Sequence, residues 1–472
     1  MNIPSILKDQ CLVCEIEELT PSSVTFDSQE VINGTLFICK GASFKREYLL
    51  EAINRGAIAY LSEVDYKVDI PLILVKDIRK SMVLIGNEFY DYPQNKLKLI
   101  GVTGTKGKTT TVYLIKHLFK DKIGLLSSIE VYDGKETQES ILTTPEYLDI
   151  LKTFRAGLDN GLDKFVLEVS SQALKVGRVE DLTFDVGIFL NISPDHISDI
   201  EHPDFNDYLA SKLALFKQTK TAIINANSEH FDEVKEAAKQ ATNVITFGNE
   251  KAVDYQIHDV VSDHGIISFM LNEKHYDLDL IGHFNIENKA ATIITGKLLG
   301  LDEETISDNL KEVRIPGRME LFESHDRKVK VIVDYAHNAL SFERLFKSIK
   351  LDYPDHDVVI IFGSAGGKAF NRRKDLGLMA NQYADKAYLC CEDPNYEDPI
   401  DIAKDIANYL TDIDYEIIED RKDAFLSALN QAKEKTVILF VGKGDEPYQK
   451  IKGQLVTGPS DVSIVKEALK SR

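Results

Sequence analysis

The chain has 472 residues, of which 43% are apolar and 28% charged, and no apolar stretch approaches the roughly 20 residues needed to cross a bilayer. Its formal net charge of −20 argues against a nucleic-acid-binding protein, because such a field repels phosphate backbones. We therefore expect a soluble protein without membrane insertion, whose anionic ligands are held locally by helix N-termini and a few placed cations.

The first hundred residues contain short strand-like runs such as GTLFICKGA and PLILVKDI, and they end in the turn-rich segment YDYPQNK. The start, MNIPSILKDQ, lacks the basic residues and continuous apolar stretch of a signal peptide, which predicts a cytoplasmic protein. The five cysteines have no second Cys or His pair at metal spacing, and we interpret them as reduced thiols. A smaller N-terminal α/β domain is predicted over residues 1–96.

Strand-like and helix-like runs alternate through the rest of the chain. After LKLIGV, the strand-like runs are FVLEVS, FDVGIFLNI and TAIINAN, with amphipathic stretches between them. A turn at RIPGR precedes a second series, which consists of KVIVDYA, VVIIFGS, KAYLCCED and TVILFVGKG. Such alternation is typical of α/β folds with parallel sheets and crossover helices. We therefore predict three domains: the N-terminal one, a central domain with a mostly parallel sheet over 97–315, and a Rossmann-like domain over 316–472.

The segment GVTGTKGKTTT has the pattern of a loop that cradles polyphosphate between a strand and a helix. In such a loop Gly104 and Gly107 allow close approach of the backbone, Lys108 neutralises charge, and Thr109 can ligate Mg²⁺. Val102 stands where the strict pattern has glycine, so the loop is a variant. A turn that merely connects strand to helix is the alternative, but the strand, the Lys-Thr pair and the helix together favour ATP binding.

Metal-competent side chains follow two of the predicted strands. Glu168 ends the run FVLEVSS, and LNISPDHISDI brings Asn191, Asp195 and His196 after the next strand. Because ligands gather at the carboxyl ends of strands in an open parallel sheet, we expect these side chains near the Mg²⁺ of the bound nucleotide.

Nine motifs follow one another in the order of the Mur ligase family, the ATP-dependent amide-forming enzymes of peptidoglycan precursor synthesis: TGTKGKTTT, LTTPE, EVSSQAL, LNISPDH, GHFNIEN, PGRME, DYAHN, CEDPNYEDP and GKGDEPYQ. The chain resembles this family over nearly its whole length. The resemblance implies a UDP-binding N-terminal domain, a central ATPase domain and a C-terminal domain that binds the incoming amino acid. It also implies that the carboxylate of UDP-N-acetylmuramoyl-L-alanyl-D-glutamate becomes an acyl phosphate, which an amine then attacks.

The resemblance assigns roles to individual residues. It implies catalytic roles for Lys108, His196 and Lys212, and metal ligation by Thr109, Glu168, His196 and Lys212, the last of these as a carbamate. Without the resemblance, Lys212 would be interpreted as an ordinary lysine on a helix surface. The ATP-binding residues that the resemblance implies are Gly104, Thr105, Gly107, Lys108, Thr109, Thr110, Asn285, Asn288, Arg318, Asp334, His337 and Asn338.

The resemblance also implies contacts with the UDP-muramoyl-peptide by Ser28, Thr143, Thr144, Pro145, Ser170 and Arg178. Gln29 replaces an arginine of the family pattern D-S-R, which leaves part of the uridine site open.

The identity of the added amino acid depends on CEDPNYEDP. Family members that add meso-diaminopimelate have D-N-P-R here, and the arginine binds the distal carboxylate of that substrate. The present stretch is similar to the D-[DN]-P-[NA] pattern of lysine-adding members and has no arginine at its fourth position. The amino-acid-binding residues implied by this match are Glu392, Asp393, Pro394, Asn395, Gly442 and Glu446.

We therefore expect a monomeric ligase that uses ATP and Mg²⁺ to add L-lysine to the UDP-muramoyl-dipeptide. The alternatives are a ligase that adds meso-diaminopimelate or L-ornithine, a folylpolyglutamate synthetase, and a nucleotide-dependent switch that is not a ligase.

Overall fold

The computed structural model describes residues 1–41, 44–120, 122–195, 197–198, 201–263, 266–278, 280–311, 313–325, 328–367 and 370–470. The chain forms two compact units, Met1–Asp254 with Ile294–Leu299 and Tyr255–Ile293 with Gly300–Arg472. The predicted α/β class is confirmed, because sheets with mostly parallel pairing alternate with helices in both units. The division into three domains remains a prediction.

The first unit begins with a small sheet in the order β1-β5-β4-β3-β2, in which β1 is antiparallel to β5 and the other pairs are parallel. Its elements are α1 (Ile3–Leu7), β1 (Cys11–Cys14), β2 (Ser23–Thr25), β3 (Thr35–Ile38), α2 (Arg46–Arg55), β4 (Ala57–Ser62), β5 (Leu72–Val75) and α3 (Ile78–Tyr90).

A second sheet in the first unit carries the phosphate loop. Six of its strands pair in parallel in the order β13-β12-β11-β6-β10-β7. Beyond β7, the strands β8 and β9 add antiparallel pairs. The elements are β6 (Lys98–Thr103), α4 (Lys108–Phe119), β7 (Gly124–Leu126), β8 (Glu130–Tyr132), β9 (Thr137–Glu139), α5 (Tyr147–Asp159), β10 (Lys164–Glu168), α6 (Ser171–Lys175), β11 (Phe184–Phe189), α7 (Phe205–Leu213), β12 (Thr219–Asn225), α8 (Phe231–Ala238) and β13 (Asn243–Gly248).

Helices α3 and α5 join the two sheets of the first unit into one core. Gly86 of α3 lets the helices approach closely, since an added Cβ would lie 2.6 Å from Leu148 Cδ2. Beside this contact the hydroxyl of Tyr147 donates to Asn87 Oδ1 at 2.7 Å, and Gln94 donates to the same oxygen at 2.8 Å. The two sheets are therefore linked by apolar packing and by buried hydrogen bonds.

The second unit contains an antiparallel ladder of β14, β15 and β16, and a sheet in the order β17-β18-β22-β19-β20-β21. Within this sheet only the β17–β18 pair is antiparallel among the described strands. The elements are β14 (Tyr255–Asp263), β15 (Ile266–Leu271), β16 (Lys274–Leu278), α9 (Asn285–Leu298, which extends into the first unit), α10 (Glu303–Asn309), β17 (Glu320–Glu323), β18 (Val329–Asp334), α11 (Ala339–Asp352), β19 (Asp357–Phe362), α12 (Phe370–Tyr383), β20 (Lys386–Leu389), α13 (Pro399–Ala407), β21 (Asp414–Ile417), α14 (Arg421–Gln431), β22 (Thr436–Val441), the hairpin β23 (Tyr448–Ile451) and β24 (Gln454–Thr457), and α15 (Asp461–Leu469).

The strand-like runs named from the sequence are confirmed as strands, from β3 and β5 in the small sheet to β22 in the second unit. The antiparallel ladders β7-β8-β9, β14-β15-β16 and β23-β24 were not predicted. All five cysteines are free thiols. In the part of the chain that the structure describes, no helix combines the length and the apolar character that a membrane span requires.

Candidate active site

The phosphate loop lies between the end of β6 and the start of α4, as the sequence predicts. Gly107, the N-cap of α4, has φ +89°, a conformation that glycine adopts without the steric cost of a Cβ. The ammonium group of Lys108 donates to the carbonyl of Gly104 at 2.8 Å and to that of Thr105 at 3.3 Å. Thr109 and Thr110 follow in the first turn of the helix, where backbone N–H groups favour an anion.

The segment after β11 fixes the position of the loop. Asn191 accepts from the backbone N–H of Lys106 at 2.9 Å and donates to its carbonyl at 3.0 Å. The hydroxyl of Thr105 lies 3.0 Å from that of Tyr208 and accepts from the Ser193 N–H at 3.1 Å. The loop is thus held by hydrogen bonds from two sides, which reduces the entropy lost when a ligand binds.

A chain of oxygen atoms connects the phosphate loop to the end of β10. The hydroxyl of Thr109 lies 3.0 Å from that of Ser128. The carboxylate of Glu168, which is 1% exposed, accepts from the Ser128 N–H at 2.8 Å and from its hydroxyl at 3.1 Å. Hard oxygen donors are what Mg²⁺ prefers, so Thr109 and Glu168 fit the predicted ion. His196, the other side chain predicted as a ligand, lies outside the described residues.

Lys212, on α7, is buried beside the same loop and is 1% exposed. Its ammonium group donates to the carbonyl of Gly104 at 3.0 Å and lies 4.7 Å from the ring centroid of Tyr208. Burial and the ammonium groups of Lys108 and Lys106 lower the pKa of Lys212 well below its ordinary value, although Asp195 opposes this shift. The neutral amine of Lys212 is therefore favoured, and this is the form that the predicted carbamylation requires.

Five of the six residues predicted to contact the UDP-muramoyl-peptide lie around the end of β10. The hydroxyl of Thr144 donates to the backbone carbonyl of Glu168 at 2.8 Å and accepts from the Ser170 N–H at 3.0 Å. Arg178 donates to the carbonyl of Thr144 at 3.2 Å and to the carboxylate of Glu146 at 3.0 Å. Thr143 and Pro145 flank Thr144 and are partly buried. Ser28 lies apart in the small sheet region, where its hydroxyl donates to Glu51 at 2.8 Å.

The remaining residues predicted to bind ATP lie in the second unit. Asn288 donates to Asn285 Oδ1 at 2.8 Å, and Asn285 donates to the Ile281 carbonyl at 2.7 Å, so that both amides stabilise the start of α9. The guanidinium of Arg318 lies 4.3 Å from the ring centroid of Tyr335.

Three further side chains of the predicted nucleotide wall have local hydrogen bonds. The Asp334 carboxylate accepts from the Met319 and Ala336 N–H groups, at 2.8 Å each. His337 pairs with the Tyr335 carbonyl at 2.8 Å, and Asn338 caps α11 by accepting from the Ser341 N–H at 3.0 Å.

The predicted amino-acid site is also in the second unit. Glu392 is 6% exposed, and its carboxylate lies against Gly442, where an added Cβ would be 2.2 Å from Glu392 Oε2. Burial raises the pKa of Glu392 to about 7, although the guanidinium of Arg421 opposes this shift. Glycine at position 442 therefore leaves room for the carboxylate.

Asp393, the second acid of this segment, is already paired. The ammonium group of Lys443, which is 2% exposed, donates to both of its carboxylate oxygens, at 3.0 and 3.2 Å, and also to Glu446. Asn395 has φ +54° and accepts from the Gly453 N–H at 2.9 Å, which joins the segment to the β23–β24 hairpin. Within the described part of the chain, Lys443 forms ion pairs with Asp393 and Glu446, and it acts on Glu392 as a nearby charge that lowers the pKa of that carboxyl.

Two buried networks escaped prediction from the sequence. Arg421 forms an ion pair with Asp461 and donates to the carbonyls of Cys391 and Val441, at 3.1 and 2.8 Å, so that it ties together the segments on both sides of Glu392. The sequence pattern hardly indicates this role of Arg421, because a lone arginine at a helix start is usually solvated.

The second network supports the helix that carries Lys212. His202, which is fully buried, lies 3.0 Å from the Ser171 hydroxyl and 2.6 Å from the Asp207 carboxylate. It links α6 to α7. In the sequence, the only indication of this contact is Asp207, an acid five residues after the histidine.

Comparisons with known proteins identify relatives of this chain. The chain matches the Mur ligase middle domain over residues 102–296 and the Mur ligase, glutamate ligase domain over residues 317–444. A Streptococcus sanguinis protein named UDP-N-acetylmuramoyl-L-alanyl-D-glutamate–L-lysine ligase is 38% identical over 476 residues, which cover 99% of this chain and 97% of that protein.

Solved structures share the fold. A UDP-N-acetylmuramoyl-L-alanyl-D-glutamate–2,6-diaminopimelate ligase has a TM-score of 0.66 and 24% identity, and the match covers 100% of this chain and 99% of that one. The MurF ligase from Thermotoga maritima in complex with ADP has a TM-score of 0.64 and 20% identity, with 89% and 93% covered.

Proposed function

The chain belongs to the Mur ligase family, and from this premise we propose that it is the ATP-dependent ligase that adds L-lysine to UDP-N-acetylmuramoyl-L-alanyl-D-glutamate. The relative that spans nearly the whole chain carries that activity in its name, which favours this function over folylpolyglutamate synthesis and over a nucleotide switch. ATP is the phosphoryl donor, in keeping with the ADP bound by a structural neighbour.

The proposal depends above all on the position of Glu168. Its carboxylate is connected to Thr109 of the phosphate loop through Ser128, and its backbone carbonyl accepts from Thr144 of the predicted muramoyl-peptide site. One residue thus adjoins both the loop that we propose binds phosphate and the segment that we propose holds the acceptor carboxylate. Transfer of a γ-phosphoryl group requires this proximity.

The proposed reaction has two steps. The terminal carboxylate of the dipeptide attacks the γ-phosphorus of ATP, giving an acyl phosphate and ADP. The amine of lysine then attacks the acyl carbon, and the tetrahedral intermediate expels phosphate. Activation is necessary because a carboxylate is a poor acyl donor to an amine at neutral pH.

The residues of the chain contribute by position and charge. Lys108 would contact the phosphates in exchange for the carbonyls it now binds, and the N-terminus of α4 favours their negative charge. Arg178 and Thr144 would orient the muramoyl-peptide. Thr109, Glu168 and Lys212 as its carbamate would hold Mg²⁺, which when bound neutralises charge on the transferring phosphoryl group.

For the amino acid, we propose that Glu392 attracts the side-chain ammonium group of lysine and that Glu446 and Gly442 adjoin its α-amino and α-carboxylate groups. Asp393 serves instead as the partner of Lys443. This refines the sequence interpretation, in which both acids were assigned to the substrate. We also propose that the enzyme acts in the cytoplasm and that it is a monomer. Sedimentation at several protein concentrations tests the oligomeric state.

The test is phosphate release by the purified protein with ATP and Mg²⁺. We expect release only when the UDP-muramoyl-dipeptide and an amino acid are both present, with L-lysine the preferred amine. ATP hydrolysis that proceeds equally without either substrate would instead favour the nucleotide switch.

A further inference from the structure

Arg421, at the start of α14, makes buried contacts with three separate segments of the second unit. Its guanidinium donates to both carboxylate oxygens of Asp461, at 2.8 and 2.5 Å, and the two side chains are 7% and 1% exposed. The same group donates to the backbone carbonyl of Cys391 at 3.1 Å and to that of Val441 at 2.8 Å. One arginine therefore ties the segment after β20 and the last residue of β22 to the first residue of α15.

The two carbonyls belong to the residues directly before Glu392 and Gly442. Glu392 is itself 6% exposed, and its carboxylate lies so close to Gly442 that an added Cβ there would be 2.2 Å from Oε2. Asp461 extends the contact on the second side, because its carboxylate also accepts from the backbone N–H of Lys443. The Arg421–Asp461 pair thus holds the backbone on both sides of the Glu392 carboxylate.

The carboxylate of Glu392 has no such support of its own. Within the described part of the chain, no hydrogen bond or salt bridge holds it directly. Burial raises its pKa, and the guanidinium of Arg421 is the largest of the effects that oppose this rise. The position of the carboxylate therefore depends on the backbone around it, which Arg421 holds, and its oxygens remain available to accept from an ammonium group.

Geometry, more than stability, is what an arginine supplies at such a place. A buried ion pair is weak evidence for stability, because removing both charges from water costs free energy that offsets their attraction. The planar guanidinium, in contrast, sets the directions of the hydrogen bonds that it donates. Here those directions fix the carbonyls of Cys391 and Val441 relative to each other.

We propose that Arg421 is a positioning residue for the choice of amino acid: it places the Glu392 carboxylate where the side-chain ammonium group of L-lysine binds. This inference rests on the proposed function, from which it takes the lysine substrate. The attraction between two charges in a desolvated site depends strongly on their separation. A displaced carboxylate would therefore weaken the binding of an ammonium group and leave the binding of an apolar side chain almost unchanged.

The test compares L-lysine with L-norleucine, which is lysine without the side-chain ammonium group, in the full-length Arg421→Lys protein. Lysine at position 421 keeps the positive charge but lacks the planar fork that reaches both carbonyls and Asp461. We expect kcat/KM for L-lysine to fall by about tenfold or more, mainly through KM, while kcat/KM for L-norleucine and KM for ATP change by less than about twofold. A role confined to stability would lower kcat/KM for both amino acids equally.

Two further variants serve as the control and as a substitute. Lys422→Met is the matched control, because Lys422 is the next residue of α14 but is exposed and faces Glu467, and it should leave the discrimination between the two amino acids unchanged. If Arg421→Lys does not fold, Arg421→Met combined with Asp461→Leu removes the whole pair and leaves neither charge buried alone. The same loss of discrimination is expected in this double variant.

Glu392→Gln shows whether the effect passes through this carboxylate. In the Glu392→Gln protein, Arg421→Lys should cause no further loss of discrimination between L-lysine and L-norleucine. Unchanged discrimination in a folded Arg421→Lys protein, or a full further loss in the Glu392→Gln protein, would overturn the positioning role. Failure of the proposed function looks different, because the unmodified protein would then ligate neither amino acid or would show no preference for L-lysine.

Discussion

Lys212 shows how surroundings change the chemistry of a single residue. In an exposed helix position a lysine remains an ammonium ion at neutral pH, but here burial and two nearby ammonium groups favour the neutral amine. Only the neutral form has the lone pair that adds to CO₂. The sequence suggested this role through family resemblance alone, and the structure adds that the neutral amine is favoured at this position.

We expect Lys212→Ala to lose at least 99% of ligase activity and to regain part of it when short carboxylates such as acetate are added. An added carboxylate can take the position of the missing carbamate near the loop. Initial rates with and without acetate provide the measurement, and Lys217→Ala, at an exposed position of the same region, is the control. Full activity of Lys212→Ala without any additive would contradict the role.

Lys108→Ala should abolish ligation and leave the fold intact, because the substitution removes a cation without emptying an apolar core. Loss of a charge contact to a transferring phosphoryl group costs about 3–4 kcal/mol, or at least a hundredfold in kcat. Circular dichroism and steady-state kinetics are the measurements, with the exposed Lys98→Ala at the start of β6 for comparison. Near-normal turnover by the variant would refute the assignment.

The carboxyl of Glu392 predicts a pH dependence of lysine binding. Its pKa is raised from 4.5 in the unfolded chain to about 7 in the folded protein. Between these two pH values the folded protein binds a proton that the unfolded chain does not, so the free energy of unfolding falls as the pH rises through this range. Only the ionised carboxylate attracts an ammonium group. KM for L-lysine should therefore fall as the pH rises from 6 to 8, while KM for ATP changes little.

The matched variant for this measurement is Glu392→Gln, in which KM for lysine should be high at every pH. If its KM retained the full pH dependence of the unmodified protein, another group would be responsible.

At the scale of elements, the sequence predicted what depends on local pattern. Runs of apolar residues predicted β6, β10 and β11, because strands covered on both faces are continuously apolar. The turn before Lys108 predicted the phosphate loop, since positive φ and a helix N-terminus both have sequence signals. Short antiparallel pairs such as β8–β9 were missed, because three-residue strands have too few alternating positions to be recognised.

Contacts between side chains far apart in the sequence could not be predicted either. The pairing of Lys443 with Asp393 spans 50 residues, and that of Arg421 with Asp461 spans 40. Neither pair has a local signature, since each depends on where the fold brings two distant segments together. The sequence therefore identified the residues of the amino-acid segment but not which acid is already neutralised.

The loop at Gly317 packs backbone against backbone, which makes its sequence strict. Gly317 has φ +62°, and an added Cβ would lie 2.3 Å from the backbone nitrogen of Asp445. We expect Gly317→Ala to lower the free energy of unfolding of the second unit by about 2–5 kcal/mol, from combined strain and overlap. Gly300→Ala is the control, because Gly300 has φ +89° but no atom within 4 Å of an added Cβ, and it should cost ~1 kcal/mol.

Urea denaturation followed by fluorescence of the tyrosines measures both variants. Equal losses of stability at the two positions would show that the contact with Asp445 contributes nothing beyond the backbone conformation.

For the whole molecule, the decisive property is the choice of amino acid. We expect kcat/KM to be highest for L-lysine, lower for L-ornithine, whose stem is shorter by one methylene, and lowest for meso-diaminopimelate. A desolvated ion pair with Glu392 is worth about 2–5 kcal/mol, which corresponds to tens to thousands of fold in discrimination. Competition among the three amino acids at equal concentration, read by mass spectrometry of the product, is the measurement.

A preference for meso-diaminopimelate would contradict the proposed pocket and would leave the ligase activity standing. Equal use of all three amino acids would show that Glu392 does not discriminate among them.

The conformation of Asn395 has a consequence for how such a specificity can evolve. Asparagine tolerates the positive φ of +54° at this position, and its side chain accepts from the N–H of Gly453 in the β23–β24 hairpin. Arginine, the residue expected here in members that add meso-diaminopimelate, would be strained by about 1–2 kcal/mol and would lose that hydrogen bond. A single substitution toward the other substrate would thus weaken the hairpin before it gained a new ligand contact. An evolutionary path between the two specificities would have to change the hairpin first, so natural lineages should seldom cross it and laboratory selection should recover paired mutations.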